Sequence, residues 1–270
     1  MLKLVLKEKL AVPLELSVLR ADILSNCSSA CKISELPAYY GNSNAEIGDF
    51  FDVTGDVDSN IVIEGDLSKA KRIGEGMEYG NITIYGNVGM HLGEKMKGGK
   101  IIVNGNVSDW MGSNMSGGII VVNGNVGNFA CSSYWGEKEG VNGGVIFIDG
   151  SVGDDLGRRM RRGTIFVTEN SGDFTGGEVI AGTIFILGSV GKSLGAGMKR
   201  GSIILSKLPE LLPSFYYSGK FKPLFLSVYF EYFEREFSFK VPKKLKKAVF
   251  ERYMGDFLAV GKGEILVCLT

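Results

Sequence analysis

A short apolar segment that opens with isoleucine recurs eight times through the middle of the chain, and its spacing constrains the fold more than any other feature. Five of the seven intervals between these segments are 19 residues long, and the other two are 21 and 26. The segments begin at Ile61, Ile82, Ile101, Ile120, Ile146, Ile165, Ile184 and Ile203. Such a period is typical of one structural unit stacked on itself, so the sequence predicts a stack of parallel strands.

Each repeat places the same residue types at the same offsets from its opening isoleucine. Offsets 0 and 2 carry isoleucine, valine or leucine, and residues two apart on a strand share a face, so these positions are predicted to face inward. Glycine recurs at offsets 4, 11 and 17, where it permits sharp turns. Methionine recurs at offset 14 and is predicted to fill gaps in the core.

These offsets predict an all-β fold and, within that class, a single-stranded right-handed parallel β-helix of about seven to eight coils of 19 residues. Three strand-like stretches per repeat, separated by glycine corners, favour this form over the left-handed hexapeptide helix, which needs a six-residue apolar period. The interval of 26 residues carries a seven-residue insertion within residues 131–144, which is predicted to loop out at the surface.

Composition divides the chain into three parts. Residues 1–58 form an irregular N-terminal leader, residues 59–206 the repeats, and residues 207–270 an aromatic-rich C-terminal cap. Within the cap, Pro242 to Tyr253 predicts a short basic helix, and Phe257–Val260 and Glu264–Leu269 predict strands. The two flanks are predicted to cover the strand edges that a stack leaves at its ends.

Charge and cysteine content exclude several classes of partner and site. Lys plus Arg equals Asp plus Glu at 30 each, which argues against nucleic acid or an acidic membrane surface as a partner. Charged residues interrupt the apolar start of the chain, so neither a signal peptide nor a membrane span is predicted. Cys27, Cys31, Cys131 and Cys268 are scattered, which predicts reduced thiols, a cytoplasmic location and no metal or cofactor held by this chain.

The sequence offers little chemistry, and no catalytic residue is predicted. His91 is the single histidine and has no neighbouring cysteine or second histidine, so neither a catalytic triad nor a zinc site is supported. Residues 158–162 contain four arginines. This basic run is interpreted either as a corner balanced by nearby acids or as a docking patch for an acidic partner.

One pattern points to interaction. Offset 1, which faces away from the predicted core, is also largely apolar, and a strand that is apolar on both faces is usually covered on both faces. We name the residues at offset 1 the outer column; they are Val62, Thr83, Ile102, Val121, Phe147, Phe166, Phe185 and Ile204. Either the C-terminal segment or another protein is expected to cover this column. With two aromatic residues of the insertion, it gives a predicted partner interface of Ile102, Val121, Tyr134, Trp135, Phe147, Phe166 and Phe185.

Several motifs resemble those of the C subunit of formylmethanofuran dehydrogenase and its relative in the bacterial formyltransferase/hydrolase complex. The repeat itself, as in Gly86-Asn87-Val88-Gly89, is similar to the glycine-repeat β-helix that this family shares with the C-terminal domain of glutamate synthase large subunits. The motifs that lie outside the glycine repeat or interrupt it are more specific. They are Val12-Pro13-Leu14-Glu15, Ile47-Gly48-Asp49-Phe50-Phe51-Asp52-Val53, Lys71-Arg72-Ile73-Gly74, Ser132-Ser133-Tyr134 and Glu251-Arg252-Tyr253-Met254-Gly255-Asp256-Phe257.

The resemblance implies a non-catalytic scaffold within the tungsten- or molybdenum-dependent formylmethanofuran dehydrogenase complex, an oxidoreductase of methanogenesis. That complex converts CO2 and methanofuran to formylmethanofuran. The expected partners are its amidohydrolase-like and pterin-bearing subunits. Molybdopterin with tungsten or molybdenum, iron–sulfur clusters and a dinuclear metal site are expected in those other subunits.

Other functions remain open at this stage. The chain is alternatively the C subunit of the bacterial formyltransferase/hydrolase complex or the β-helix subunit of a glutamate synthase. An independent carbohydrate-active β-helix enzyme is a further alternative, and it requires that the isolated chain be active.

Overall fold

The fold is described for residues 1–269 from a computed structural model, and it is built mainly of strands. Within those residues the elements are, in chain order, β1 (Leu2–Leu6), β2 (Leu14–Glu15), α1 (Ala21–Leu24), α2 (Ala30–Ser34), β3 (Pro37–Tyr40), β4 (Ser43–Glu46), α3 (Ile47–Phe50), β5 (Phe51–Thr54), β6 (Asn60–Glu64), β7 (Ala70–Lys71), β8 (Asn81–Tyr85), β9 (Lys100–Asn104), β10 (Ile119–Asn123), β11 (Asn142–Ile148), β12 (Arg162–Val167), β13 (Thr183–Ile186), β14 (Ser202–Leu205), β15 (Tyr216–Phe221), α4 (Leu226–Phe237), α5 (Lys243–Lys247), β16 (Phe250–Gly255) and β17 (Gly263–Cys268).

One 13-stranded mixed sheet runs through the molecule in the order β15-β16-β17-β14-β13-β12-β11-β10-β9-β8-β6-β1-β5. The strands from β1 to β17 in this order are parallel to their neighbours, whereas β5 at one end and β16 and β15 at the other pair antiparallel. A smaller sheet has the order β4-β3-β2-β7. Both chain ends therefore contribute strands that extend the stack of repeats.

The register of the sheet follows the sequence repeat. Ile61 pairs with Ile82, Ile82 with Ile101, and each later opening isoleucine with its successor, across the 26-residue interval as well. All side chains at offsets 0 and 2 are buried in the main core, together with the methionine column. The predicted inward face of the repeats is thus confirmed.

The prediction of a single-stranded right-handed parallel β-helix is wrong, although the all-β class is confirmed. Within residues 1–269 each repeat supplies one strand of four to seven residues to one mixed sheet, instead of three strands to a coil. The second predicted stretch is reduced to a column of single-residue bridges from Leu67 to Val190. The physical reason lies in the corners, where a left-handed residue near φ +60° recurs at offset 9 and breaks the extended backbone that a further strand needs.

Side chains satisfy the backbone of the corners. The Asn87 Oδ1 atom accepts a hydrogen bond from the backbone N–H of Asn106 at 3.0 Å. The Asn106 Oδ1 atom in turn accepts one from the backbone N–H of Asn125 at 2.8 Å. Three residues further along, Asp109 accepts a hydrogen bond from the Asn128 amide at 2.8 Å. These ladders pair backbone N–H groups that a glycine-rich turn would otherwise leave without a protein acceptor.

The C-terminal part differs from its prediction in two places. The basic helix predicted to reach Tyr253 ends at Lys247, and residues 250–255 form β16 because they pair with β17. The predicted strand at Phe257–Val260 is a turn, whereas the strand predicted near the C-terminus is confirmed as β17. Pairing against the end of the sheet therefore overrides the local helix signal.

Candidate functional site

The outer column is covered along half its length by the chain's own helix α4. Phe166 and Phe185 are fully buried, and Phe147 is nearly so. The ring centroid of Phe233 on α4 lies 4.3 Å from that of Phe166 and 5.3 Å from that of Phe185. The C-terminal segment thus occupies this part of the predicted interface.

Helix α4 is amphipathic, and its sequence explains how it docks. Leu226, Phe230 and Phe233 lie four and three residues apart, which places them on one face, and all three are buried. The Tyr229 hydroxyl also lies 3.2 Å from the Thr183 hydroxyl on β13. The opposite face carries Val228, whose exposed fraction is 70%.

The remaining members of the predicted interface are divided between two faces of the molecule. Val121 is buried under the same aromatic cluster, and Ile102, which is half-buried, lies at its margin. Tyr134 and Trp135 lie on the insertion, which folds back over the corners of the repeats. Tyr134 is half-buried there, whereas Trp135 is exposed over 72% of its surface.

A row of aromatic side chains supports the insertion. The Trp110 ring stacks on Phe129, with centroids 4.5 Å apart and planes 11° apart, and it also stacks on Tyr134 at 4.7 Å and 23°. Trp110 and Phe129 both occupy offset 9 and have φ angles of +64° and +58°. Left-handed backbone costs a non-glycine residue roughly 1–2 kcal/mol, so the packing and hydrogen bonding of the corner must offset this strain.

A buried carboxylate lies beside this row and organises a charged cluster. The exposed fraction of Glu94 is 1%, and its carboxylate accepts hydrogen bonds from Arg72 at 3.1 Å and pairs with Lys95 at 2.9 Å. The Nδ1 atom of His91 lies 3.4 Å from the same carboxylate and 2.7 Å from the Tyr134 hydroxyl oxygen. This polar cluster ties the insertion to the repeats.

Protonation states in the cluster follow from burial. Burial lowers the pKa of His91 below its ordinary value, and the nearby Glu94 carboxylate only partly opposes this effect. Burial, together with Glu94, raises the pKa of Tyr134. The neutral phenol can therefore donate a hydrogen bond to the Nδ1 atom of a neutral imidazole. Such a pair fixes the orientation of both side chains.

A cavity of about 470 Å³ borders the insertion at Trp135. We call it the groove, and its lining includes Trp135, Phe174, Asp155, Arg158 and Glu178. The Arg158 guanidinium carbon lies 4.3 Å from the centre of the Trp135 ring. Both Nε and Nη2 of Arg158 donate to one carboxylate oxygen of Glu178, at 3.0 and 2.6 Å.

The basic run is mostly paired within the chain. Arg159 donates to the second carboxylate oxygen of Glu178 at 2.8 Å, and Arg161 pairs with Glu139 of the insertion. Of the two interpretations offered by the sequence, the structure supports the corner balanced by nearby acids. The pairing acids lie 19 to 22 residues away from these arginines in sequence, so the ion pairs could not be predicted from the residues next to the basic run.

No site for a metal ion is evident in the part of the chain that the structure describes. Residues 1–269 hold no group of three or more His, Cys, Asp or Glu side chains placed to bind one. The four cysteines are free thiols, and two of them are buried. The same residues contain no helix that is both long enough and apolar enough to cross a membrane.

Comparison with known proteins gives a consistent family. The family model described as GXGXG motif matches residues 71–212, which is more than half of the chain. In a structural comparison, a chain of the formyltransferase/hydrolase complex (FhcABCD) from Methylorubrum extorquens, solved in complex with methylofuran, superimposes with a TM-score of 0.92 and 31% sequence identity. The alignment covers 99% of this chain and 100% of that one.

Curated relatives point the same way over a shorter segment. The C subunit of the tungsten-containing formylmethanofuran dehydrogenase 2 of Methanothermobacter marburgensis is 37% identical over 91 residues, which are 32% of this chain and 33% of that protein. The C subunit of the molybdenum-containing formylmethanofuran dehydrogenase 1 of Methanothermobacter thermautotrophicus is 40% identical over 91 residues, which are 33% of this chain and 22% of that protein. The resemblance drawn from the flanking motifs is confirmed, and the matched segment spans a third or less of these relatives.

Proposed function

The chain belongs to the GXGXG-motif family, and on this basis we propose that it is the scaffold, or C, subunit of a tungsten- or molybdenum-dependent formylmethanofuran dehydrogenase complex. The observation that carries the proposal is the agreement between the curated relatives, which are C subunits of that oxidoreductase, and the whole-chain superposition on a chain from a related multisubunit complex. The complex would form formylmethanofuran from CO2 and methanofuran.

The architecture supports a structural role. A single core runs the length of the parallel stack, and the second core formed by α4 and the outer column braces one of its faces. The charged cluster at Glu94 is paired within the chain, where it holds the insertion on the repeats. In line with the family resemblance, our proposal assigns the chemistry to amidohydrolase-like and pterin-bearing partner subunits.

The cofactors of the reaction would likewise belong to the partners. The described residues, 1–269, offer no ligand cluster suited to a dinuclear metal site, and their cysteines are too scattered to hold an iron–sulfur cluster. We assign molybdopterin with tungsten or molybdenum, the iron–sulfur clusters and the dinuclear site to other subunits. The contribution of this chain is to hold those subunits in a fixed arrangement.

A second candidate is the C subunit of a formyltransferase/hydrolase complex, and one observation favours it. The structural neighbour belongs to such a complex and corresponds to this chain over its full length. Hydrolysis transfers no electrons, so that complex has no need of a redox metal. The presence or absence of molybdenum or tungsten in the native assembly separates the two candidates.

Purification of the tagged chain from its native host tests the proposal. We expect stoichiometric recovery of the partner subunits, with molybdenum or tungsten and pterin detected in the complex. Recovery of the same kinds of subunit without these metals would select the hydrolase form. Recovery of a flavin and a glutaminase would instead identify a glutamate synthase, and turnover by the isolated chain would contradict the scaffold role.

A further inference from the structure

The groove beside the insertion has the features of a preformed docking site. Trp135 is exposed over 72% of its surface and Phe174 over 48%, and both line the same cavity of about 470 Å³. Large exposed aromatic side chains that border a concavity are typical of places where another molecule binds. Neither ring is covered by the chain's own C-terminal segment, which packs on the outer column instead.

The walls of the groove are held rigidly. Arg158 lies against the face of Trp135, and its guanidinium is fixed by two hydrogen bonds to Glu178. Arg159 anchors the other oxygen of that carboxylate and also donates to the Glu137 carbonyl oxygen of the insertion. Because these side chains are already ordered, binding would cost little further conformational entropy.

The charge of the groove identifies the kind of occupant. Of the residues that line the groove, Asp155 and Glu178 are acidic and Arg158 is basic. Arg159 does not line the groove, but it pairs with Glu178 together with Arg158, so the four charges balance within the chain. A strongly charged ligand would therefore meet no complementary excess. Tryptophan, tyrosine and arginine are enriched among the residues that carry most of the binding energy at protein interfaces, and such residues lie in well-packed pockets from which water is excluded. The arrangement suits an uncharged apolar side chain.

We propose that the groove receives a loop of a partner protein, which inserts one aromatic or branched aliphatic side chain between Trp135 and Phe174. The half-buried Asp155 carboxylate at the same site would accept a backbone N–H of that loop. The proposal rests on the scaffold role proposed above. It adds the surface that one partner uses and the chemistry of the segment that binds there.

Two substitutions test the groove without threatening the fold. Trp135→Ala removes a largely exposed ring. Phe174→Asn removes the opposite wall and keeps a residue that tolerates the φ angle of +56° found there. Trp135→Phe keeps an aromatic face. The control outside the groove is Val228→Ala, since Val228 on α4 is apolar and 70% exposed.

Each tagged variant is purified in the native assembly and diluted, and mass photometry measures how much of the partner is released. The dissociation constants of the variants are then compared. Truncation of an interface hot spot costs about 2 kcal/mol or more, so we expect Trp135→Ala to raise the dissociation constant at least about 30-fold, and Phe174→Asn to raise it at least about fivefold. Trp135→Phe and Val228→Ala should stay within about threefold of the wild type. Wild-type dissociation constants for both groove variants would overturn the inference.

Photocrosslinking then identifies the occupant. With p-benzoylphenylalanine in place of Trp135, we expect a crosslink to a loop of a partner protein that carries an uncharged apolar residue. A crosslink to a second copy of this chain, or to a charged tail, would overturn the inference and leave the scaffold role standing. A wild-type chain that recovers no partner proteins would refute both.

Discussion

Replacing Phe166 with alanine should detach helix α4 from the sheet. Phe166 is fully buried, and its ring centroid lies 4.3 Å from Phe233, 5.2 Å from Phe239 and 5.4 Å from Phe147. Truncation of a buried phenylalanine to alanine costs about 3–5 kcal/mol. Because β12 keeps its neighbours on both sides, most of this loss should fall on the docking of α4 rather than on the stack of strands.

Hydrogen–deuterium exchange measures this effect locally. Since 1.4 kcal/mol corresponds to a factor of ten, the amides of α4 should exchange about 100-fold faster or more in Phe166→Ala, up to the limit set by free docking. Amides of β6 and β8, which lie away from the aromatic cluster, should be unchanged. Val228→Ala, on the exposed face of α4, should have no such effect. Wild-type exchange of α4 in Phe166→Ala would refute the reasoning.

Three further predictions concern the corners, the polar cluster and a buried thiol. Gly86→Ala should lower the unfolding free energy in urea by at least about 2 kcal/mol more than Gly219→Ala does. Both glycines have a strongly positive φ, but of the two only Gly86 lies where a Cβ atom would collide with backbone, at a carbonyl oxygen of the preceding repeat. Equal losses would contradict this. Burial lowers the pKa of His91 below 6.5, so as pH falls the unfolded state takes up the proton at a higher pH than the folded state does. The unfolding free energy should therefore fall as pH drops below about 6.5, and His91→Gln should lack this part of the fall. Identical pH profiles of the two proteins would exclude the effect. Burial raises the pKa of the Cys131 thiol to about 12. Iodoacetamide at pH 8 should therefore label Cys31, which is exposed, and should modify Cys131 only after denaturation. Rapid labelling of Cys131 in the native protein would show that the corner opens.

The periodic part of the fold could be predicted because every repeat carries the same information. A strand of the repeat that slipped by one residue would turn its isoleucines to the wrong face, so the pairing of Ile82 with Ile101 follows from spacing alone. The number of strands in each repeat could not be predicted from this spacing. The same glycines and polar residues permit either a further strand or a left-handed turn, and contacts between neighbouring repeats decide between them.

The C-terminal cap shows why its elements were harder to predict. The α4 segment is rich in Phe and Tyr, which favour strands locally, yet it forms a helix that packs its aromatic face on Phe166 and Phe185. The sequence did indicate that the outer column needs a cover. It could not choose between the chain's own tail and a partner, because that choice depends on which surface the tail reaches.

The candidate site depends on contacts that are distant in sequence. Tyr134 meets His91 across 43 residues, and Arg158 meets Glu178 across 20. Nothing in the sequence around Glu94 indicates that it is buried, because Arg72, which pairs with it, lies 22 residues earlier in the chain. The 26-residue interval, with Tyr134 and Trp135 in its insertion, was the clearest sequence signal that this face differs from the others.

The scaffold role is tested most directly by comparing the isolated chain with the native assembly. Both are purified, and each is assayed for bound molybdenum, tungsten, iron and pterin and for formylmethanofuran formation. We expect the isolated chain to be folded, to carry none of these groups and to have no turnover, while the assembly that contains it is active. An isolated chain that binds a redox cofactor stoichiometrically, or that forms or hydrolyses formylmethanofuran by itself, would contradict the account.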